Sequence, residues 1–290
     1  MKRSRLTHFA PCSRLRALRC GEARRSLPLH SKWQAVAALL FLAACSSNPP
    51  VTAGPGEADQ ILLDRGQAAL KERSWTRART YFSELLESYP QSPLRADAKL
   101  GVGDSYLGEN NSASYVYAQN EYREFLAFYP TNPKADYAQM QLGMVHFNQM
   151  LSPQRDQTET REAIKEFQTF VDRYPRSPLM TQVQQRLREA KDRLSEWDLQ
   201  VANFYLSIRH YSGAEPRYRD LLKSDPEFTR KDSVYFHLAE TLEKSRRPAE
   251  ALPYYERLVN EYEQSEHLEE ARRRIDRLKL ELKLGATAER

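Results

Sequence analysis

The stretch ARTYFSELLESYP, residues 78–90, decides the fold because its pattern returns four more times along the chain. The later copies are AQNEYREFLAFYP at 118–130, AIKEFQTFVDRYP at 163–175, AEPRYRDLLKSDP at 214–226 and ALPYYERLVNEYE at 251–263. Each opens on an alanine (Ala78, Ala118, Ala163, Ala214, Ala251) with an aromatic four residues on (Phe82, Tyr122, Phe167, Tyr218, Tyr255). Four residues is about one helical turn, so each pair shares a face. Apolar pairs seven and eight residues after each alanine extend that face, from Leu85 and Leu86 to Leu258 and Val259. In the first four copies a proline follows at the twelfth position (Pro90, Pro130, Pro175, Pro226) and fixes where the helix stops.

An amphipathic segment precedes each copy, so the repeating unit is a pair of helices. Gly66, Ala202 and Ala239, each twelve residues before its alanine, let two helices approach while the aromatic fills the gap to the next pair. Over residues 58–264 the pattern resembles the tetratricopeptide repeat. The expectation is an all-α superhelix of five helix pairs. The alanines stand 40, 45, 51 and 37 residues apart, and the excess over an ideal repeat marks insertions. Polar loops are expected at 108–117 in the second repeat and 149–160 in the third. The longest gap reads as helix instead, because Val183, Leu187, Ala190, Leu194, Trp197, Val201 and Phe204 alternate three and four apart. A connector helix is expected from about Leu179 to Tyr211, and a charged capping helix from His267 to Leu284. The organisation is thus 58–178 for three repeats, 179–264 for connector and two repeats, and 265–290 for cap and tail.

The net charge of +5 does not mark a nucleic-acid binder, because residues 1–44 hold nine Lys/Arg against Glu22 and the remainder carries −3. An apolar run from Trp33 to Ala44 follows, of signal-core length and too short to span a bilayer. It ends Leu42-Ala43-Ala44-Cys45, which resembles a bacterial lipobox: residues 1–44 are expected to be cleaved between Ala44 and Cys45, and Cys45 lipidated. Residues 45–57, with Pro49, Pro50 and Pro55, read as a flexible tether. Ser46 is not the aspartate that typically retains such lipoproteins at the inner membrane, so the outer membrane is expected. Cleavage would leave Cys45 as the sole cysteine, so no internal disulfide holds the fold.

No phosphate-binding glycine loop, no paired histidines at metal spacing and no Gly-x-Ser-x-Gly occurs in the sequence. The expectation is a scaffold, not an enzyme, with no metal and no cofactor, offering a groove to a peptide or partner domain.

Two segments narrow the resemblance. Arg155-Asp156-Gln157-Thr158 precedes Arg161-Glu162-Ala163, and Lys191-Asp192-Arg193-Leu194 precedes Val201-Ala202 and Phe204-Tyr205. Both look like the BamD family, lipid-anchored repeat proteins of the outer-membrane β-barrel assembly machinery, over about the whole mature chain. That resemblance implies an outer-membrane scaffold facing the periplasm. Its N-terminal repeats would receive the C-terminal signal of unfolded outer-membrane proteins, and its C-terminal repeats the periplasmic domains of the barrel subunit, with other lipoproteins as further partners. Tyr115 and Tyr117 are then candidates for the signal, and Arg217 matches a family arginine near the barrel-subunit contact. Asp225, where the other copies have Tyr, and Pro253 inside a helix depart from the pattern. The alternative is a repeat lipoprotein of another envelope machine, in cell-division coordination or as a secretin pilot.

Overall fold

Helices stop where proline and its neighbours forbid them. α1 (Ala58–Lys71), α2 (Trp75–Ser88), α3 (Arg95–Glu109), α4 (Ser112–Phe128), α5 (Ala135–Phe147) and α6 (Thr158–Arg173) are followed by α7 (Met180–Ser207), α8 (Tyr211–Ser224), α9 (Lys231–Lys244), α10 (Pro248–Glu261) and α11 (Leu268–Ala288). The computed structural model describes residues 57–288, with side chains through 283. Ala44, Cys45, Ser46 and all but Glu57 of the tether lie outside the described residues. The described residues contain no strand, and no helix among them is long and apolar enough to cross a membrane. α2, α4, α6 and α8 each end two residues before their proline, as expected of a residue whose successor's ring disfavours the α conformation.

The helices pair in sequence, α1 with α2 through α9 with α10, and α11 covers the end. The first helices of the pairs also touch one another, α1 on α3, α5 on α7 and α7 on α9, and so form the inner row of a superhelix. All five alanines and all five aromatics of the repeat are fully buried. The aromatics are wedges. A Cβ placed on Gly101 of α3 would come within 2.5 Å of the Phe82 ring, and one on Gly66 of α1 would collide with the same ring from its other side. Gly103 stands likewise against Tyr122, and Gly143 against Phe167.

A second recurring device closes three of the turns. Ser92, Ser177 and Ser265, two residues past the proline position, each donate from the hydroxyl at 2.6 Å to an aspartate in a preceding first helix: Asp59, Asp136 and Asp232. Each serine oxygen also accepts at 3.1 Å from a backbone N–H at the start of the next helix. One hydroxyl thus satisfies an orphan N–H at a helix start and ties it to a carboxylate of a preceding helix.

Two expectations need correction. Residues 108–117 are not a loop: Asn110 adopts the left-handed conformation that ends α3, and Asn111 opens α4 with a capping box to Ser114. The insertion was absorbed as longer helices, because asparagine does both jobs in two residues. Residues 148–157 do form the connection between α5 and α6. In α7 the buried stripe changes face: Val183, Leu187 and Ala190 face α5 and α6, then Ser195, Leu199, Ala202 and Leu206 take over. The step of five between Ala190 and Ser195 rotates the buried line by about 140° at 100° per residue, so Leu194, Trp197 and Val201 are half-exposed and Phe204 is 59% exposed. Pro253 does not break α10, nor Pro216 α8; both stand two residues past the repeat alanine, early in the helix.

Because the Phe82 ring is held at both edges, it has nowhere to retreat from a methyl group. Gly101→Ala is expected to destabilise the protein by about 1–3 kcal/mol in urea unfolding, and unchanged stability would show that the ring is not confined.

Candidate partner-binding site

The inner row of first helices makes two concave clefts. In the N-terminal one, of about 280 Å³, Leu70, Phe82, Leu100 and Gly101 form an apolar floor. Lys134 stands at its rim, ion-paired to Asp97 at 2.9 Å. Asp104 lies deeper and accepts hydrogen bonds from Tyr122 at 2.6 Å and Tyr137 at 3.0 Å. Burial raises its carboxyl above the ordinary range, against the opposing pull of those hydroxyls. The Phe82 ring lies under this floor, itself fully buried.

The C-terminal cleft, about 550 Å³, is polar and lined by Asn203, Arg209, His237, Glu240 and Lys244 among others. Glu240 is pulled down to about 2, first by its hydrogen bond with His237 and then by Lys244 and Arg274, against the cost of burial.

Arg217 lines a smaller cleft of about 270 Å³ with Trp197, Asp198, Val201 and Asp220. Its guanidinium lies 4.0 Å over the Tyr205 ring and donates at 2.7 Å to the Gly213 carbonyl. No carboxylate pairs with it among the described residues. Asp198 and Asp220 share the cleft without ion-pairing to the guanidinium, which the ring holds in place for a carboxylate from outside. Phe204 and Ile208, 59% and 54% exposed, lie one residue before and three after Tyr205. Sequence reasoning placed Phe204 in the core, and only the rotated stripe of α7 reveals it as surface.

The two tyrosines on α4 separate. Tyr115 is 6% exposed and donates its hydroxyl to Asn110, so it is a packing residue and not an exposed aromatic. Tyr117 is 54% exposed and stacks on Tyr106 at 5.0 Å, with Arg79 4.4 Å over the far ring.

The two segments on which the family resemblance rests meet in space. Gln157 is buried and donates to the carbonyls of Ser152 and Arg155, while Asp156 accepts from Thr158 at the start of α6. Arg193 of α7 donates at 2.9 Å to the Leu151 carbonyl of that same connection, and Arg161 lies 5.5 Å over Trp197. Asp225 belongs to this junction as well. Buried, it receives both Arg188 nitrogens and the Ser195 hydroxyl. Burial raises its pKa, but those hydrogen bonds outweigh it and hold the carboxylate below its ordinary range. The departure from tyrosine thus serves to lock α8 onto α7.

His146 is a strut: one ring nitrogen contacts Glu159 at 2.7 Å and the other Gln119 at 2.9 Å, tying α4, α5 and α6. Glu162 and Glu166 bring carboxylate oxygens within 4.8 Å of it, but neither ring nitrogen is left over for an ion.

Comparison with known proteins gives a consistent answer. The YfiO family, described as an outer membrane lipoprotein, matches residues 56–251. A relative from Vibrio cholerae, named outer membrane protein assembly factor BamD, is 28% identical over 68% of this chain and 85% of its own length. Relatives of the same name from Caulobacter vibrioides and Haemophilus influenzae are 24% and 25% identical. They match over 62% and 72% of this chain, and over 58% and 81% of their own lengths. Among solved structures, a tetratricopeptide-repeat pair of yeast Sti1 aligns at 14% identity and TM-score 0.46, over 81% of this chain and 88% of that one. Pseudomonas aeruginosa pilF aligns at 19% and 0.36, over 78% and 91%.

Because the folded carboxyl of Glu240 ionises well below its ordinary 4.5, it adds stability that is complete above about that pH and lost as pH falls toward 2. Glu240→Gln is expected to flatten the acid limb of urea stability by about 2 kcal/mol, and an unaltered limb would place the acid-sensitive group elsewhere.

Proposed function

Because this chain belongs to the YfiO family of outer-membrane lipoproteins, we propose that it is the repeat scaffold of an outer-membrane β-barrel assembly machine. It would be anchored through Cys45 to the periplasmic face of that membrane. Its work is recognition, with no catalytic step: the N-terminal cleft takes the C-terminal signal of unfolded outer-membrane proteins, and the C-terminal repeats hold the periplasmic domains of the barrel subunit.

The observation that carries the first contact is the pairing of an apolar floor with Lys134 at one rim. A chain ending in an aromatic residue has an apolar ring beside a free carboxylate. The ring fits over Phe82, Leu100 and Gly101, and the carboxylate takes Lys134 in exchange for Asp97. Tyr117, on the second helix of the next pair and stacked on Tyr106, is not part of the cleft lining and is proposed as a separate aromatic contact for the incoming chain. The second contact rests on Arg217, a guanidinium clamped on Tyr205 and ion-paired to no carboxylate among the described residues, with Phe204 and Ile208 nearby. An acidic side chain on the barrel subunit would complete that ion pair against an apolar surround, the composition of an energetic centre in an interface.

Two measurements test these contacts separately. In fluorescence anisotropy, a labelled peptide ending in phenylalanine with a free carboxylate should bind the mature chain. Lys134→Glu should weaken it about tenfold, and amidation of the peptide should do the same; indifference to both would remove the signal from this cleft. Arg217→Glu should cut recovery of the barrel subunit on affinity purification from mild-detergent membranes, while leaving peptide affinity unchanged. Full recovery of the barrel subunit with that variant would place its contact elsewhere.

A further inference from the structure

The C-terminal repeats carry a surface that neither contact above uses. α8 and α10, the second helices of the last two pairs, leave between them a groove of about 480 Å³ with the start of α9 at its base. Tyr235 and Tyr254 supply an aromatic floor, their rings 6.3 Å apart and inclined by 27°. Arg219, Lys223, Lys231 and Arg257 line it, and no carboxylate does.

The two arginines are fixed in place. Arg219 donates to the Tyr254 hydroxyl at 2.7 Å and pairs with Glu215, while Arg257 lies 5.1 Å over Tyr235 and pairs with Glu261. The lysines are not neutralised: Lys231 donates to the Pro226 carbonyl, and neither it nor Lys223 meets a carboxylate among the described residues. The adjoining groove carries Asp232, Glu261 and Glu263. The surface therefore changes sign within about one helical turn, so the positive field belongs to this groove and not to the whole face.

We propose that this groove docks an acidic, extended segment of a partner protein, its Asp or Glu side chains on Lys223 and Lys231 and an apolar side chain on the tyrosine floor. The cations come from three helices and are spread along the groove, which suits carboxylates spaced along a chain better than a single phosphate. A floor of two rings in turn offers area for a side chain and gives a headgroup nothing to bury.

The test uses the whole mature chain, residues 45–290, with two probes: a dye-labelled peptide alternating glutamate and leucine, and vesicles of anionic phosphatidylglycerol. The acidic peptide should bind at low salt and weaken as salt rises, and a lysine–leucine counterpart should not bind. Lys223→Glu with Lys231→Glu should weaken the acidic peptide about tenfold. Lys223→Ala with Lys231→Ala, which only removes charge, should weaken it less and leave the thermal transition unchanged. This second variant keeps the test valid should the charge reversal disturb folding. Equal binding to wild type and both variants, or no binding at all, overturns the proposal. So does a charge reversal that abolishes vesicle binding while sparing the peptide, which would assign the groove to a membrane surface.

Discussion

Everything in this molecule hangs on one contact, an aromatic ring driven against helices that have no side chain to oppose it. Phe82 sits between Gly66 and Gly101, so a single ring joins a pair to itself and to the next pair. Burying such a ring completely contributes hydrophobic and dispersion energy that no surface ion pair in the chain approaches. It also sets the distance between first helices, and with it the width of the groove on the inner row. Where glycine gives way to alanine later in the chain, as at Ala202 and Ala239, fully buried tyrosines take the wedge position: Tyr218, hydrogen-bonded to Asn203, and Tyr255, in contact with Glu243 and Arg274. Tyr122 is braced in the same way by Asp104, so the tyrosine wedges carry polar contacts that the phenylalanine wedges lack.

The fold was legible because alanine, aromatic and proline keep their register through five copies, and register survives what lies between them. The parts that were not legible are those where register was broken. Gly103 and Gly143 do for Tyr122 and Phe167 what Gly66 does for Phe82, but they stand 15 and 20 residues before their alanines instead of 12, displaced by the insertions. A fixed offset could not find them. The serine–aspartate ties were missed for another reason: each joins residues more than thirty apart, and a serine after a proline reads simply as a turn.

The surfaces were harder still. Tyr115 and Tyr117 are two residues apart on one helix, so they point about 200° away from each other, and only packing decides which is buried. The same limit applied to α7. Its sequence has one uninterrupted apolar alternation, yet the chain needs two buried faces because two different cores flank it. Trp197, Val201 and Phe204 continue the periodicity of the first core after that core has ended, which is why they emerge as surface beside Arg217.

That shared helix has a mechanical meaning. At about 1.5 Å per residue, its 28 residues make a strut of about 42 Å whose first turns are buried by the third repeat and whose last are buried by the fourth and fifth. No loop lies between them to act as a swivel. A load applied at the C-terminal repeats is therefore carried to the third repeat through an unbroken ladder of backbone hydrogen bonds, clamped midway by Arg188, Ser195 and Asp225. The two ends of the scaffold behave as one lever, and what docks at one end inherits an orientation from what is held at the other.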